Sequence, residues 1–577
     1  MALPTGVYLL PVELLSRVFV LGAADQVLDS PFLLRPDEDH CVGSVTDFQL
    51  LVSHVCKHWR EVALRMSCLW TSLHFREPAH IPRAEAFLAR AAANHTLDIL
   101  VDTVSVDDHI PGVTLCRDEM REIFTLIIPH VVRWRAFHLK VRANECKLIA
   151  RQALSTCGPA PRLETLQLYH FEDYRTTQNL YIATYRPPVV IFDNVLPALK
   201  NVSLIGVNLP WTHAPYLQHL HALELALHPD NIRPPFKAWD AILRRSPRLR
   251  RLRLHYSGPR AADEHSERIC VPDLEELSLT DLDPDHLTRL LHTLELPRLT
   301  TLALDLPEQD FAVVPEQDFT GVVQMIAGVS PSTVAPAAPL PIAALHTLRI
   351  IALECAPAAL AALLRALVSL SVLELDFARI RDPEAICGVL LETIALPLTN
   401  ADAEETRTTC ECEDSRRAPV LPRLEEARLF GLPGERVRGL MAFRARFAEG
   451  CGGGGGGCFA ECAESPPSSA CSSSPSSAPG SPEDSTPTSS RIIIGSEVDF
   501  SPSRCGRAAA MPRFVVRWNA RRRARDAVLE QLVRQGRVEC VDEDDGEDDD
   551  VNEDYDSSEY GDELNGPSDE VEESGRA

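Results

Sequence analysis

Pro272-Asp-Leu274-Glu-Glu-Leu277-Ser-Leu279-Thr280 is the stretch that decides the fold. Its last two leucines alternate with polar residues, which makes one face of an extended strand apolar and the other polar. The same Leu-x-x-Leu-x-Leu spacing starts at Leu163, Leu220, Leu249, Leu274, Leu299 and Leu370. A further match at Leu291 falls inside a stretch that reads as helix. Near-copies start at Leu199, Leu345 and Leu424. Leu249 to Leu274, Leu274 to Leu299 and Leu345 to Leu370 are each 25 residues apart. Helical stretches with readable starts fill the gaps. Asp283-Pro284 precedes one and Pro234-Pro235 another, and proline early in a helix gives up no intrahelical donor. Leu360, Leu363, Leu364 and Leu367 share one helical face.

Strand, turn and helix recurring at this interval match the 20–29 residue period of a leucine-rich repeat. The expected fold class is α/β. Residues 77–450 should form a curved, irregular solenoid with parallel strands on its concave side, broken by a loop near 399–420. Irregularity is written into the spacing: Leu163 to Leu199 spans 36 residues and Leu299 to Leu345 spans 46. Where the repeat consensus places Asn or Cys, this chain has Phe171, Val207, Ser257 and Leu282, so no continuous asparagine ladder can form. Gln167, Ser203, Glu224, Arg253, Ser278, Ala303 and Glu374 are expected to point away from the core, on a face with no dominant sign. An ordinary α/β domain with a coincidental leucine pattern is the alternative.

The 577 residues carry 83 acidic and 57 basic side chains, a net charge of −26. Between Val541 and Ala577 there are 18 Asp or Glu and one Arg, a net of −17, which leaves −9 for the rest. A mildly acidic body argues against a nucleic-acid-binding surface. The longest apolar stretch, Ile351 to Leu375, carries Glu354, Pro357, Arg365 and Glu374, which suits a core rather than a lipid-spanning helix. The opening Met1–Phe19 has no basic leader, and Pro11, Glu13 and Arg17 interrupt its apolar run, unlike a secretory signal. Seventeen cysteines without framework spacing suit reduced thiols. The expected setting is intracellular, in cytoplasm and/or nucleus, away from membranes.

Residues 1–76 read as a small helical module. Leu10-Pro11-Val12-Glu13-Leu14-Leu15 leads to Val18-Phe19, an insertion spans Asp25–Asp47, and Leu51, Val55, Trp59 and Val62 form a second stripe. The segment closes on Leu69-Trp70-Thr71-Ser72-Leu73. This segment resembles an F-box, on its Leu-Pro-x-Glu-Leu-Leu opening, its Val55-Cys56-x-x-Trp59-Arg60 second half and its closing Leu-Trp. About 50 residues carry the likeness, and the insertion departs from it. Leu97–Asp102 and Arg133–Leu139 resemble the first strands after the F-box in many fungal F-box proteins with leucine-rich repeats. The resemblance implies docking on a Skp-type adaptor, and through it a cullin, with a protein substrate held by the repeats. Leu10, Pro11, Leu14, Leu15 and Phe19 would then form the adaptor-facing surface, with Val55, Cys56 and Trp59 supporting or extending it. Trp59 and Trp70 could equally fill the module's own core. Leu14→Asp with Leu15→Asp would abolish adaptor binding.

Nothing in the sequence assembles into an active site, so the chain is expected to be no enzyme, with no cofactor and no metal. The run of six glycines between Cys451 and Cys458 lacks the lysine and flanking elements of a phosphate loop, and Cys410, Cys412, Cys451, Cys458 and Cys462 lack paired metal-ligand spacing. Residues 451–512 read as a Gly/Ser/Pro-rich linker, with Ser465, Ser474, Ser481, Thr486 and Ser501 each before proline. Residues 513–540 read as a basic helical segment with Val528, Leu529 and Leu532 as its apolar stripe, and 541–577 as an acidic disordered tail. Arg521–Arg525 suits an import signal or pairing with that tail. The composite expectation is a substrate-recognition subunit of an SCF-type cullin-RING ubiquitin ligase. The alternative is a non-catalytic scaffold that uses its repeats without ligase assembly.

Overall fold

A computed structural model describes residues 10–24, 30–34, 48–104, 108–170, 188–260, 267–307, 318–329, 340–395, 417–448, 511–518 and 526–542. Its strands are β1 Ser72–Phe75, β2 Leu97–Asp102, β3 Trp134–Val141, β4 Thr165–His170, β5 Asn201–Ile205, β6 Ala222–Ala226, β7 Arg251–His255, β8 Ile269–Cys270 and β9 Glu276–Thr280. They continue as β10 Leu294–Glu295, β11 Thr301–Leu306, β12 Thr347–Leu353, β13 Val372–Asp376, β14 Thr393–Ala395, β15 Arg417–Pro419, β16 Glu426–Phe430, β17 Arg513–Trp518 and β18 Val538–Asp542. Fourteen of them form one sheet whose order follows the chain, from β1 to β18. Every pairing along it is parallel, including β4 with β5, β9 with β11 and β16 with β17. The remaining strands make two small pairs, β8 with β10 in parallel and β14 with β15 antiparallel.

Parallel neighbours need a crossover, and the segments between strands supply it. The helix Pro284–Thr293 begins where its sequence says. Asp283 accepts a hydrogen bond from the His286 N–H at 2.9 Å, and Pro284 fills the first turn. It turns Leu287, Leu290 and Leu291 inward. Pro357–Ala366 does the same with Leu360, Leu363 and Leu364, and Leu367 is buried just beyond it. Burial alternates residue by residue in β7, β9, β13 and β16, with the even apolar positions inside. A single hydrophobic cluster runs from Leu15 through Trp134, Trp239 and Leu373 to Val538.

Two expected boundaries are not boundaries in this core. Residue 76 closes no separate module, because Leu73 and Phe75 of β1 pair beside β2 and join the common cluster. Residues 513–540, read as a basic helical segment, are helical only in part. They form strand, helix Ala527–Arg534 and strand, with Glu426 opposite Arg513 and Phe514 opposite Val538. The apolar stripe explains this, since Leu529 and Leu532 pack inward and leave Arg534 and Arg537 exposed. The loop expected near 399–420 is bracketed by β14 and β15, and most of it, like most of the 451–512 linker and the tail beyond 542, lies outside the described residues.

His286 couples this packing to pH. It is 8% exposed, and burial, reinforced by Arg233 and Arg289, lowers its pKa to about 4. The folded value lies below the ordinary 6.5, so as pH falls the unfolded chain takes up this proton first. The associated stability is complete above pH 6.5 and is lost towards pH 4, to the extent of about 3 kcal/mol. His286→Gln should therefore flatten the fall of the urea midpoint between pH 7 and 4.5. Equal slopes in variant and parent would contradict this.

Candidate functional site

Three helices build the first candidate surface: α1 Val12–Ala24, α2 Phe48–Val55 and α3 Lys57–Arg65. Leu15 and Phe19 point inward from α1 and are fully buried. The Phe19 ring meets Trp59 edge-on, with centroids 5.1 Å apart. Trp70 lies beneath α3, and its indole N–H donates to the Ala63 carbonyl at 3.0 Å. Cys56 serves as the N-cap of α3: the Trp59 N–H donates to its Sγ at 3.4 Å. A thiol in that place satisfies a helix-end donor that water would otherwise take.

These positions correct part of the expected adaptor face. Leu15 and Phe19 belong to the interior, so the surface cannot present them, and Leu15→Asp would damage the fold rather than report on binding. Pro11, Leu14 and Val55 are exposed, while Leu10, Cys56 and Trp59 are half-buried. The sequence missed the rest of the surface. Val12, Val18, Val20 and Leu21 are 46–60% exposed on α1, and Leu51 and Leu64 are 52% and 41% exposed on α2 and α3. The signal was available in Val12–Ala24, where Val12, Leu14, Leu15, Val18, Phe19, Val20 and Leu21 cover more of the helix than one stripe. One side faces the core, and the other is left facing outward.

The polar face of the sheet is the second surface. Register aligns Leu100, His138, Gln167, Ser203 and Glu224 in one transverse row. The row continues through Arg253, Ser278, Ala303, Arg349, Glu374 and Arg428. All seven residues expected to point away from the core lie in this row. Its two halves differ. Towards β18 it is open and crossed by ion pairs. Arg349 and Arg428 lie 3.4 and 3.3 Å from Glu374, and Arg428 is 2.6 Å from Glu426. Arg513 pairs with Glu539 on the next strands. The signs alternate, and pairs this exposed contribute little to stability.

Towards β1 the row is covered. Leu100, His138, Gln167 and Ser203 are 3%, 2%, 0% and 0% exposed. His138 Nδ1 lies 2.9 Å from Gln167 Oε1, and burial holds its imidazole below the ordinary range against the opposing pull of that bond. Ser30–Leu34, a piece of the N-terminal insertion, reaches this row through two hydrogen bonds between Leu34 and Gln167.

Among the described residues, no group of three or more His, Cys, Asp or Glu side chains is placed to hold a metal ion, and no helix is long and apolar enough to cross a membrane. The cysteine cluster weighed for metal binding lies outside the described residues. A cavity of about 70 Å³ beside β3–β5, lined by Leu139, Leu154, Leu168 and Ile191, is small against the ~300 Å³ that ligand sites occupy. Comparison with protein-family models and with curated proteins finds no match to the chain.

Proposed function

We propose that this chain is the substrate-recognition subunit of an SCF-type cullin-RING ubiquitin ligase. Its F-box-like N-terminal helices dock a Skp-type adaptor, which carries the cullin, and its leucine-rich-repeat solenoid holds a protein substrate. The observation that supports this most is the distribution of exposed apolar side chains. Of 18 large hydrophobics exposed among the described residues, eight lie between Val12 and Leu64. Patches of that kind mark protein–protein contact more often than idle surface. The remaining ten are scattered between Ile110 and Val541.

On this reading the chain performs no covalent step. Ubiquitin transfer belongs to other subunits, and this one raises the concentration of a substrate lysine near them by tethering. The polar row offers donors and acceptors of both signs, which suits reading a folded or extended protein surface rather than a uniformly charged polymer. Intracellular location follows from the proposed partners.

Co-expression of the full chain with a Skp-type adaptor and a cullin tests the proposal. The expected result is a stoichiometric three-component complex on gel filtration. Failure of the adaptor to bind would overturn it and leave a scaffold that uses the sheet alone. Adaptor binding without recruitment of cullin would likewise remove the ligase assignment.

A further inference from the structure

The covered end of the polar row is built to grip a peptide backbone. The Leu34 N–H donates to Gln167 Oε1 at 3.0 Å, and Gln167 Nε2 donates to the Leu34 carbonyl at 2.7 Å. One side-chain amide thus makes both bonds that a neighbouring strand would make. His138 and Ser203 flank it at 2.9 and 3.4 Å, and all three are buried. A buried amide in this position is costly unless main chain or water satisfies it.

The same face of the sheet also carries apolar side chains. Phe32 and Leu34 are 6% and 5% exposed, yet neither belongs to the main core cluster. Two residues along the strands, Tyr169, Ile205 and Ala226 form a separate hydrophobic cluster with Leu227 and Tyr256. They share the parity of Gln167, Ser203 and Glu224 and therefore the same face of the sheet. A satellite cluster on the polar face has no part in holding the helices on the other side.

We propose that this face is a peptide-binding groove, and that Ser30–Leu34 is its resident occupant. The partner it fits is an extended segment of another protein with large apolar side chains at positions i and i+2. Gln167 reads the main chain at the second of these. Such a segment must displace the chain's own copy, which is tethered at both ends and so competes at roughly millimolar effective concentration. This deepens the substrate-holding part of the proposed function and is independent of adaptor docking.

The test uses the full chain without adaptor and a fluorescent peptide copying residues 28–36. Phe32→Ser with Leu34→Ser should empty the groove and tighten peptide binding at least tenfold over the unaltered chain. Adding Gln167→Leu should abolish the gain. A peptide with serine at both apolar positions should not bind. If the double variant keeps the parent's melting temperature but shows no saturable binding, or binds both peptides equally, the proposal is wrong. On the unaltered chain, saturating peptide should speed amide exchange across residues 30–34 at least tenfold, and unchanged exchange would also overturn it.

Discussion

Replacing Asp526 by Ala is expected to loosen residues 513–542 from the rest of the sheet by at least a hundredfold. This carboxylate caps two helices that lie about ninety residues apart in sequence. Its Oδ2 accepts the Gly434 N–H at 2.7 Å, at the start of the helix Gly434–Ala448. Its Oδ1 accepts the Val528 and Leu529 N–H groups at 3.1 and 2.9 Å, at the start of Ala527–Arg534. Alanine leaves three donors without that acceptor, and at about 1 kcal/mol each the loss is about 3 kcal/mol. Gly434→Ala should be comparably severe for a steric reason, because a Cβ there would lie 2.5 Å from the Leu529 backbone nitrogen. With a protease site engineered into the 451–512 interval, the cleaved parent should retain its C-terminal fragment through prolonged washing. Both variants should shed it. Equal retention by parent and Asp526→Ala would show that the apolar contacts of Leu529 and Leu532 suffice.

That contact also shows where sequence reading stops. The leucine spacing announced β4 to β7, β9, β11 to β13 and β16 and named the outward residues, because a strand's parity is fixed once two inward leucines are known. It missed the short β8, β10, β14 and β15, and the match at Leu291 that holds β10 read as helix. It said nothing of β17 and β18. Arg513-Phe-Val-Val-Arg-Trp518 has strand-like composition, but it stands after an interval of more than 80 residues from β16 and among arginines. Charge described its surface and concealed its partner. Asp526 looked like one acid among many, since capping of a distant helix leaves no local pattern.

The N-terminal insertion was opaque for a different reason. Ser30-Pro-Phe-Leu-Leu34 has no period of 2 or 3.6 to betray a strand or helix, and its main contact is with Gln167, over 130 residues away. The sequence identified Gln167 as pointing away from the core of the repeats, and it lies on that face, but fully buried. What it could not supply was the covering segment, because a side-chain amide pairing with backbone imposes no requirement on the residue it grips.

The sharpest contrast is expected within α1, between adjacent leucines. Leu15→Asp places a carboxylate where the side chain is fully buried beside Phe19. Cavity formation and an unpaired buried charge together should cost at least 4 kcal/mol. The thermal transition of the full chain should fall or split. Leu14→Asp with Leu21→Asp alters positions that are 51% and 60% exposed, so each should change stability by no more than about 0.5 kcal/mol. On the proposed reading the same pair removes apolar anchors from the adaptor contact, and association should weaken by a hundredfold or more, as it does when central hot-spot residues are lost. Co-purification and melting temperature measured on the same preparations separate the two cases. A surface pair that keeps full adaptor binding would sink the placement of the contact on α1, whereas a Leu15→Asp chain with the parent's melting temperature would mean that α1 does not pack on Trp59 as described.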